Sequence, residues 1–354
     1  MKAMVLSQTV LLDRDQNPLR LENRPDPEPG PGEILVKVSA CGVCHTEIDI
    51  IEGRTPPPRF PVIPGHQVVG RVAAKGPGVT SFQTGERVGV GWIYHACGHC
   101  RFCRPDEVGQ AGGPVQDGRE NLCPDFRATG RDADGGYAEY MKVAADFAHP
   151  IPDGYSDGEA APLLCAGGVG YRSLRLCGLT DGQSLGLTGF GASGHLVLKL
   201  AKGLYPQTRV YVFARNREQR EFAVALGADW AGETEREAPE KLRAIIDTTP
   251  AWQPVIAALA NLEPGGRLII NAIRKEDKDR DCLGTLDYQR HLWQEKEIKS
   301  VANVTRTDIA AFLAAAARID LRPVIETYSL EEANRALVDL KKGGGFGAKV
   351  LIVQ

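Results

Sequence analysis

The spacing of apolar residues divides the chain into two regions. In the first region, short apolar runs at 34–38, 68–72 and 87–90 each follow a turn that contains glycine. Short strands separated by such turns are typical of a compact antiparallel barrel. The pattern therefore predicts a β domain over roughly the first 150 residues.

Beyond this point, apolar strands alternate with amphipathic helices. Leu196, Leu200 and Leu204, for example, fall on one face of a helix. Such alternation is typical of βαβ units and a parallel sheet, so we predict the α/β class. The predicted strands are 185–188, 210–213, 268–270 (after a turn at 264–266) and 349–353, and the predicted helices are 195–204, 218–226, 309–319 and 330–340.

Length and charge narrow the range of functions. A chain of 354 residues fits about two domains. The net charge is -3, with no basic stripe and no apolar run of membrane-spanning length, so we expect neither a nucleic-acid partner nor a membrane span. The N-terminus lacks the features of a signal peptide, which predicts a cytoplasmic location. There, the nine cysteines are expected to be thiols or metal ligands rather than disulfides.

A glycine-rich turn follows the predicted strand at 185–188 and precedes a predicted helix. Its residues Gly189, Gly191, Ala192, Ser193 and Gly194 fit the pattern G-x-G-x-x-G. In this context the pattern predicts a dinucleotide site, with the pyrophosphate at the N-terminus of the helix. The alternative is a glycine-rich turn of an α/β domain that binds no ligand.

The end of the next strand bears on the choice of cofactor. Enzymes that use NAD usually place a carboxylate there, whereas this chain has Ala214, followed by Arg215 and Arg217. Cations without a carboxylate favour a 2′-phosphate, so we expect NADP in preference to NAD. The alternative is that both arginines are solvated surface residues and that NAD binds without the carboxylate.

Two groups of cysteine and histidine residues are candidate metal ligands. Four closely spaced cysteines can satisfy a structural zinc ion, with a redox thiol cluster or an iron–sulfur cluster as alternatives: Cys97, Cys100, Cys103 and Cys123. Cys44, His66 and Cys165 are dispersed, and their spacing alone would not link them. Taken singly, each is more simply interpreted as a packed side chain.

The order and spacing of several motifs resemble the zinc-dependent alcohol dehydrogenases of the medium-chain dehydrogenase/reductase family. The motifs are CGVCHT at 41–46, GHQVVG at 65–70, the cysteine run at 97–123, LLCAGG at 163–168 and GFGASG at 189–194. The resemblance spans essentially the whole chain. It implies a GroES-like β-barrel catalytic domain over 1–165, a Rossmann domain over 166–300, and a return to the catalytic domain over 301–354.

The resemblance also implies roles for individual residues. Cys44, His66 and Cys165 would hold a catalytic zinc that polarises the substrate oxygen, and the four clustered cysteines would hold a structural zinc. Thr46 would accept the alcohol proton and begin a relay. The remaining implied roles are these: His45 and Lys349 lie near the cofactor pyrophosphate, and Trp92 lines the substrate pocket.

The chain departs from the family pattern at four places. Gln67 replaces a usual Glu, Glu47 replaces a common Asp, and Asp49 stands where many members end the proton relay at a histidine. Asp49 could accept the proton or hydrogen-bond the cofactor ribose, or the relay could end in water. The alternative is that Asp49 is a solvated surface carboxylate. Residues 104–122 are twelve longer than usual between the last two structural cysteines, and we expect a surface excursion near a subunit contact.

These observations predict an alcohol dehydrogenase or aldehyde reductase that acts on a small-molecule alcohol or aldehyde with NADP or NAD. Trp92 at the pocket wall favours primary alcohols. A zinc-free quinone reductase on the same fold is disfavoured because that subgroup lacks both cysteine groups. The other alternative is a zinc-binding structural protein without dehydrogenase activity. The resemblance further implies a homo-oligomer, a tetramer or a dimer, with sheet pairing near 268–271 and the segment beyond.

Overall fold

The computed structural model describes residues 1–104, 118–343 and 347–353. Its strands are β1 (Lys2–Leu6), β2 (Leu19–Asn23), β3 (Glu33–Val43), β4 (Val68–Lys75), β5 (Arg87–Val90), β6 (Ile93–His95), β7 (Arg127–Ala128), β8 (Tyr140–Ala144), β9 (Ala148–Pro150), β10 (Ser184–Thr188), β11 (Arg209–Phe213), β12 (Trp230–Gly232), β13 (Leu242–Asp247), β14 (Leu262–Ile270), β15 (Glu297–Ser300), β16 (Ile325–Ser329) and β17 (Ala348–Ile352). Its α-helices are α1 (His45–Ile51), α2 (Asp157–Pro162), α3 (Gly168–Cys177), α4 (Ala192–Leu204), α5 (Arg217–Ala225), α6 (Gln253–Asn261), α7 (Tyr288–His291), α8 (Arg306–Arg318) and α9 (Ala333–Lys341).

The chain divides into two compact units. The first comprises Met1–Cys165, Val304–Ala317 and Arg322–Gln354, and the second comprises Ala166–Asn303 and Arg318–Leu321. The first unit is therefore built from both ends of the chain.

The first unit is organised around a sheet in the order β16-β17-β3-β4-β5-β9, with β8 also paired to β3. Only β16 and β17 run parallel; the other pairs are antiparallel. Strand β3 is the centre of this sheet, because it pairs with β17, β4 and β8. Its first half alternates buried and more exposed residues, while its last four residues are all buried. The core of this unit includes Ile34, Tyr137 and Met141, each with little or no exposed surface.

The second unit contains a sheet of six parallel strands in the order β12-β11-β10-β13-β14-β15. Numbered from β10, this is the order 3-2-1-4-5-6 of a doubly wound dinucleotide-binding sheet. All five residues of β10 are buried, as expected for a central parallel strand. The structure confirms the predicted α/β class, with a mainly antiparallel unit and a parallel unit.

Two local predictions differ in detail from the structure. The turn at 264–266 is part of β14, where the pairing with β13 shifts register between Leu242 and Ala244. The Arg243 side chain donates to the carbonyl of Gly265 at 2.6 Å and supports this bulge. The helix at 330–340 is broken into a 3₁₀ turn, Leu330–Glu332, followed by α9.

Within the described residues, no helix is both long and apolar enough to cross a bilayer. Most of the predicted excursion at 104–122 lies outside the described residues. Its described end contains a short 3₁₀ turn, Glu120–Leu122, directly before Cys123.

Candidate active site and metal centres

The dispersed residues Cys44, His66 and Cys165 come together in the first unit. One donor atom from each lies within 4.8 Å of the others, and His66 Nε2 is 3.2 Å from Cys165 Sγ. Ligands of a tetrahedral zinc ion are separated by roughly 3.3–3.8 Å. The donor set therefore fits a zinc ion, with two thiols and one imidazole.

Glu47 orients two of these ligands at once. Cys44 caps the N-terminus of α1, and its backbone N–H donates to Glu47 Oε2 at 2.8 Å. The other carboxylate oxygen, Oε1, is hydrogen-bonded to His66 Nδ1. Because Nδ1 is engaged by the carboxylate, Nε2 is directed toward the cysteines, as in carboxylate–histidine–zinc arrangements.

The buried charges of this group favour a cation. Burial alone would lower the pKa of His66, but the Glu47 carboxylate and Cys44 raise it to about 10. A hydrogen bond from Cys165 lowers the pKa of Cys44 well below its usual value, against the opposing effect of burial and with help from His66. A site that holds positive charge this strongly suits a metal ion that binds thiolate and imidazole.

Cys165 is positioned by an unusual turn that the sequence pattern did not predict. It lies in a π-helical segment, Leu163–Gly167, between α2 and α3. The preceding residue, Leu164, packs on Gly91, where an added Cβ would lie 2.9 Å from the Leu164 carbonyl oxygen. Gly91 directly precedes Trp92, and a glycine at this place in the sequence could have indicated the close packing of another segment.

Two of the residues proposed to contact substrate or carry protons, Trp92 and Thr46, lie beside the same group. The Trp92 ring packs edge-on against His66, with ring centroids 4.9 Å apart. Thr46 is buried, and its hydroxyl oxygen lies 3.6 Å from Cys44 Sγ. Asp49 is also buried and pairs with Arg54 Nε at 2.5 Å, so the interpretation as a solvated surface carboxylate is wrong.

Gln67 is packed inside the protein. It is buried, and its side-chain amide lies so close to Gly42 that an added Cβ there would be 2.8 Å from Gln67 Cδ. Glycine at position 42 therefore leaves the space that the Gln67 side chain occupies.

The four clustered cysteines form a second metal group. Their sulfur atoms lie within 4.8 Å of one another, with separations of 3.9 Å for Cys97–Cys103 and 3.6 Å for Cys100–Cys103. Backbone N–H groups of Cys103 and Phe102 lower the pKa of Cys100 to about 7, against the opposing effect of burial. Four thiols at these distances fit the closed tetrahedral site of a structural zinc ion.

The glycine-rich turn has the geometry that a dinucleotide requires. Gly189 has a φ of +84°, and a Cβ at Gly194 would lie 2.8 Å from the Gly189 carbonyl oxygen. A Cβ at Gly191 would meet nothing within 4 Å, which leaves room for a phosphate to approach the backbone. Helix α4 begins at Ala192, followed by Ser193, so its unbonded N–H groups face this space.

The end of β11 carries no acidic side chain. Ala214 is buried, whereas the Arg215 side chain is exposed and has no partner in the described part of the chain. Arg217 instead pairs with Glu221 at 2.7 Å. Arg220 was not among the predicted site residues. Its side chain donates to the carbonyl oxygens of Ala214 and Arg215 at 2.8 and 2.7 Å.

The two residues predicted near the pyrophosphate differ in their surroundings. His45 is exposed at the start of α1. Lys349 is buried opposite Val43 in the β17–β3 pairing, and its ammonium group donates to Glu326 at 2.5 Å and Tyr328 at 3.0 Å. The role of Lys349 at the cofactor stays a prediction.

Comparisons with known proteins identify relatives over the whole chain. Residues 30–153 match the family described as "Alcohol dehydrogenase GroES-like domain". A probable alcohol dehydrogenase, AdhA of Mycobacterium tuberculosis, is 43% identical over 96% of this chain and 94% of its own length. An alcohol dehydrogenase of Geobacillus stearothermophilus is 33% identical over the full length of both chains.

A solved structure also matches nearly the complete chain. A cinnamyl alcohol dehydrogenase from Sorghum bicolor superposes with a TM-score of 0.84 at 27% identity, covering 99% of this chain and 97% of its own. These matches agree with the two metal groups and the glycine turn. The chain belongs to the zinc-containing alcohol dehydrogenases of the medium-chain dehydrogenase/reductase family, with one catalytic and one structural zinc site.

Proposed function

We propose that this protein reversibly oxidises a primary alcohol to an aldehyde, using zinc and a nicotinamide dinucleotide. The convergence of Cys44, His66 and Cys165 carries the proposal, because two thiols and an imidazole leave one tetrahedral position for a substrate oxygen. Zinc in this position supplies Lewis acidity that stabilises negative charge on that oxygen. The nicotinamide cofactor supplies the hydride acceptor.

The protein's own residues would shape the substrate site. Trp92, fixed by its contact with His66, would form an apolar wall and limit the space beside the reacting carbon. Because this space is limited, we expect the protein to act on primary alcohols in preference to bulky secondary alcohols. Glu47 would keep His66 in the orientation that the substrate site needs.

Thr46 and Asp49 would move the alcohol proton away from the site. They are three residues apart in α1 and therefore lie on the same face of the helix. The Thr46 hydroxyl would accept the proton from the alcohol and pass its own proton to the cofactor ribose. Asp49, fixed by Arg54, would accept the proton that the ribose hydroxyl releases in turn.

The cofactor would bind with its pyrophosphate beside Gly191 and the N-terminus of α4. We retain His45 and Lys349 as proposed contacts of the same phosphates. Ala214 and the exposed Arg215 favour the 2′-phosphate of NADP over the 2′-hydroxyl of NAD. The nine free cysteines are compatible with a reducing compartment, and we retain the cytoplasm as the proposed location.

We also propose a homo-oligomer, a dimer or tetramer, that forms through the edge of the parallel sheet. The predicted segment 268–271 is not at this edge, because β14 is paired on both sides. Among the described strands, β15 ends the sheet, and all four of its residues are exposed. Ile298 on this strand is apolar and exposed, and Tyr288 and Trp293, which precede the strand in the chain, are also exposed. An uncovered strand edge with apolar neighbours suits pairing with a second copy.

The experiment that tests the activity is a cofactor and substrate panel with the zinc-loaded full chain. Absorbance of the reduced nicotinamide would be followed with NADP and with NAD, against short, long and aromatic alcohols and their aldehydes. We expect turnover of primary alcohols, with NADP more efficient than NAD. Two zinc ions per chain without any turnover would instead support the zinc-binding structural alternative.

A further inference from the structure

A buried ion pair lies at the carboxyl end of β13. Asp247 has no exposed surface, and its carboxylate accepts hydrogen bonds from Lys275 Nζ and from Thr249, through N at 3.2 Å and Oγ1 at 2.8 Å. The same ammonium group donates to the carbonyl oxygens of Thr249 at 2.8 Å and Ala251 at 3.0 Å. Each of these bonds ends on β13 or on the loop at 248–251.

This loop packs directly against the glycine-rich turn. The backbone N–H and the hydroxyl of Thr248 both donate to the carbonyl oxygen of Thr188, at 2.9 and 3.0 Å. A Cβ at Gly189 would lie 2.8 Å from Thr248 Oγ1 and 3.0 Å from Thr249 Cγ2. The position of the loop therefore determines what space remains at the first glycine of the turn.

The sheet order shows why this position matters. Strands β10 and β13 are neighbours, and the order of the strands reverses between them. In open parallel sheets, ligands bind outside the carboxyl ends of the strands at such a point. The turn at Gly189 and the loop at 248–251 are the two segments that leave the sheet there.

We propose that the Asp247–Lys275 pair sets the affinity for the dinucleotide by holding the loop at 248–251 against Gly189; this rests on the cofactor site of the proposed function. Lys275 is a positioning residue, because it acts on the cofactor through the loop. Burying two charges is costly unless their geometry is well satisfied, and here several hydrogen bonds satisfy both groups. The pair fixes one arrangement of the loop.

The test replaces Lys275 by Met, which keeps the length of the side chain and removes its charge. The matched control is Lys278→Met, because Lys278 pairs with Glu276 at the surface. The dissociation constant of the reduced cofactor would be measured by fluorescence on the zinc-loaded chain. Amide hydrogen exchange at 188–194 would be measured without cofactor.

We expect Lys275→Met to weaken cofactor binding roughly tenfold and to speed exchange at 188–194, since changes along a packed network shift coupling by this order. The alcohol KM at saturating cofactor and the zinc content should not change, and Lys275→Arg should restore part of the affinity. A lowered melting temperature with unchanged cofactor affinity would overturn the proposal.

A second variant covers the case in which Lys275→Met does not fold. Thr248→Val removes the hydroxyl bond to Thr188 without exposing a buried charge, and it should weaken cofactor binding several-fold; unchanged affinity overturns the proposal. Wild-type protein that binds cofactor but oxidises no alcohol would refute only the proposed function. Wild-type protein that binds neither cofactor would refute both.

Discussion

Glu47 shows how one side chain organises the catalytic group. It caps α1 through the Cys44 N–H and holds His66 Nδ1 with its other oxygen. The sequence marks it as one methylene longer than the common Asp, and both contacts are nonetheless made. The ligand identities could be predicted from the sequence only through resemblance, because 99 residues separate His66 from Cys165.

At the ribose end of the cofactor site, Ala214→Asp should raise the efficiency with NAD relative to NADP. The new carboxylate would accept a hydrogen bond from the ribose 2′-hydroxyl of NAD and would repel the 2′-phosphate of NADP. One charged hydrogen bond corresponds to a change of about tenfold in the ratio of the two efficiencies. Kinetics with both cofactors measure this ratio.

Two arginine variants provide the matched comparison. Arg215→Gln should weaken NADP more than NAD, whereas Arg217→Gln should change little because Arg217 is paired with Glu221. An unchanged NAD/NADP ratio in Ala214→Asp would show that position 214 does not face the ribose.

His195 should make folding stability depend on pH. Burial lowers its pKa to about 4, against a usual value of 6.5, so the unfolded chain binds a proton that the folded chain does not. The stability that this neutral imidazole allows is present above pH 6.5 and is lost as the pH falls toward 4. The loss is about 1.4 kcal/mol per pH unit within that window.

Denaturant unfolding at several pH values, with excess zinc, tests this expectation. His195→Asn should flatten the decline in the free energy of unfolding between pH 6.5 and 4. The exposed His99→Gln serves as control and should leave the slope unchanged. Equal slopes in wild type and His195→Asn would contradict the assignment.

At the scale of elements, the four-cysteine segment is connected to α8. Glu120, buried beside Cys123, accepts hydrogen bonds from the Arg306 backbone N–H at 2.7 Å and from its side chain at 3.3 Å. The carboxylate thus pairs with an N–H group at the start of α8 that has no partner within the helix. Its negative charge also interacts favourably with the positive end of the helix dipole. The sequence pattern gave no sign of this contact, because the two residues are 186 positions apart.

Replacing this carboxylate should destabilise the first unit. Glu120→Gln is expected to lower the free energy of unfolding by about 1–2 kcal/mol, since a charged hydrogen bond becomes a neutral one. Calorimetry would measure the loss, with the exposed Glu235→Gln as control and zinc content unchanged at two per chain. Equal melting curves for the two variants would argue against this role.

The elements themselves were predictable where the apolar pattern was strong. The strands at 87–90 and 185–188 and the helix at 195–204 lie within observed elements. The π-helical turn around Cys165 was not predictable, because its conformation depends on tight packing of Leu164 against Gly91. The bulge in β14 was missed because Pro–Gly–Gly is usually a turn signal, and here it is accommodated inside a strand.

For the whole molecule, the exposed edge at β15 is the proposed site of assembly. Ile298→Lys would place a charge on this edge, and a buried, unpaired charge disfavours pairing between copies. We expect a smaller oligomer by light scattering, with the cofactor affinity retained. The matched control is Val224→Lys, an exposed apolar position on α5. An unchanged mass for Ile298→Lys would show that assembly uses another surface.

The central claim is that Cys44, His66 and Cys165 hold a zinc ion that alcohol oxidation requires. The most direct measurement compares Cys44→Ser with Cys282→Ser, a cysteine outside both metal groups, for zinc per chain and for the rate of alcohol oxidation. We predict that Cys44→Ser retains the fold and one zinc ion but loses turnover, while Cys282→Ser keeps two zinc ions and full activity. Wild-type turnover in Cys44→Ser would contradict the account.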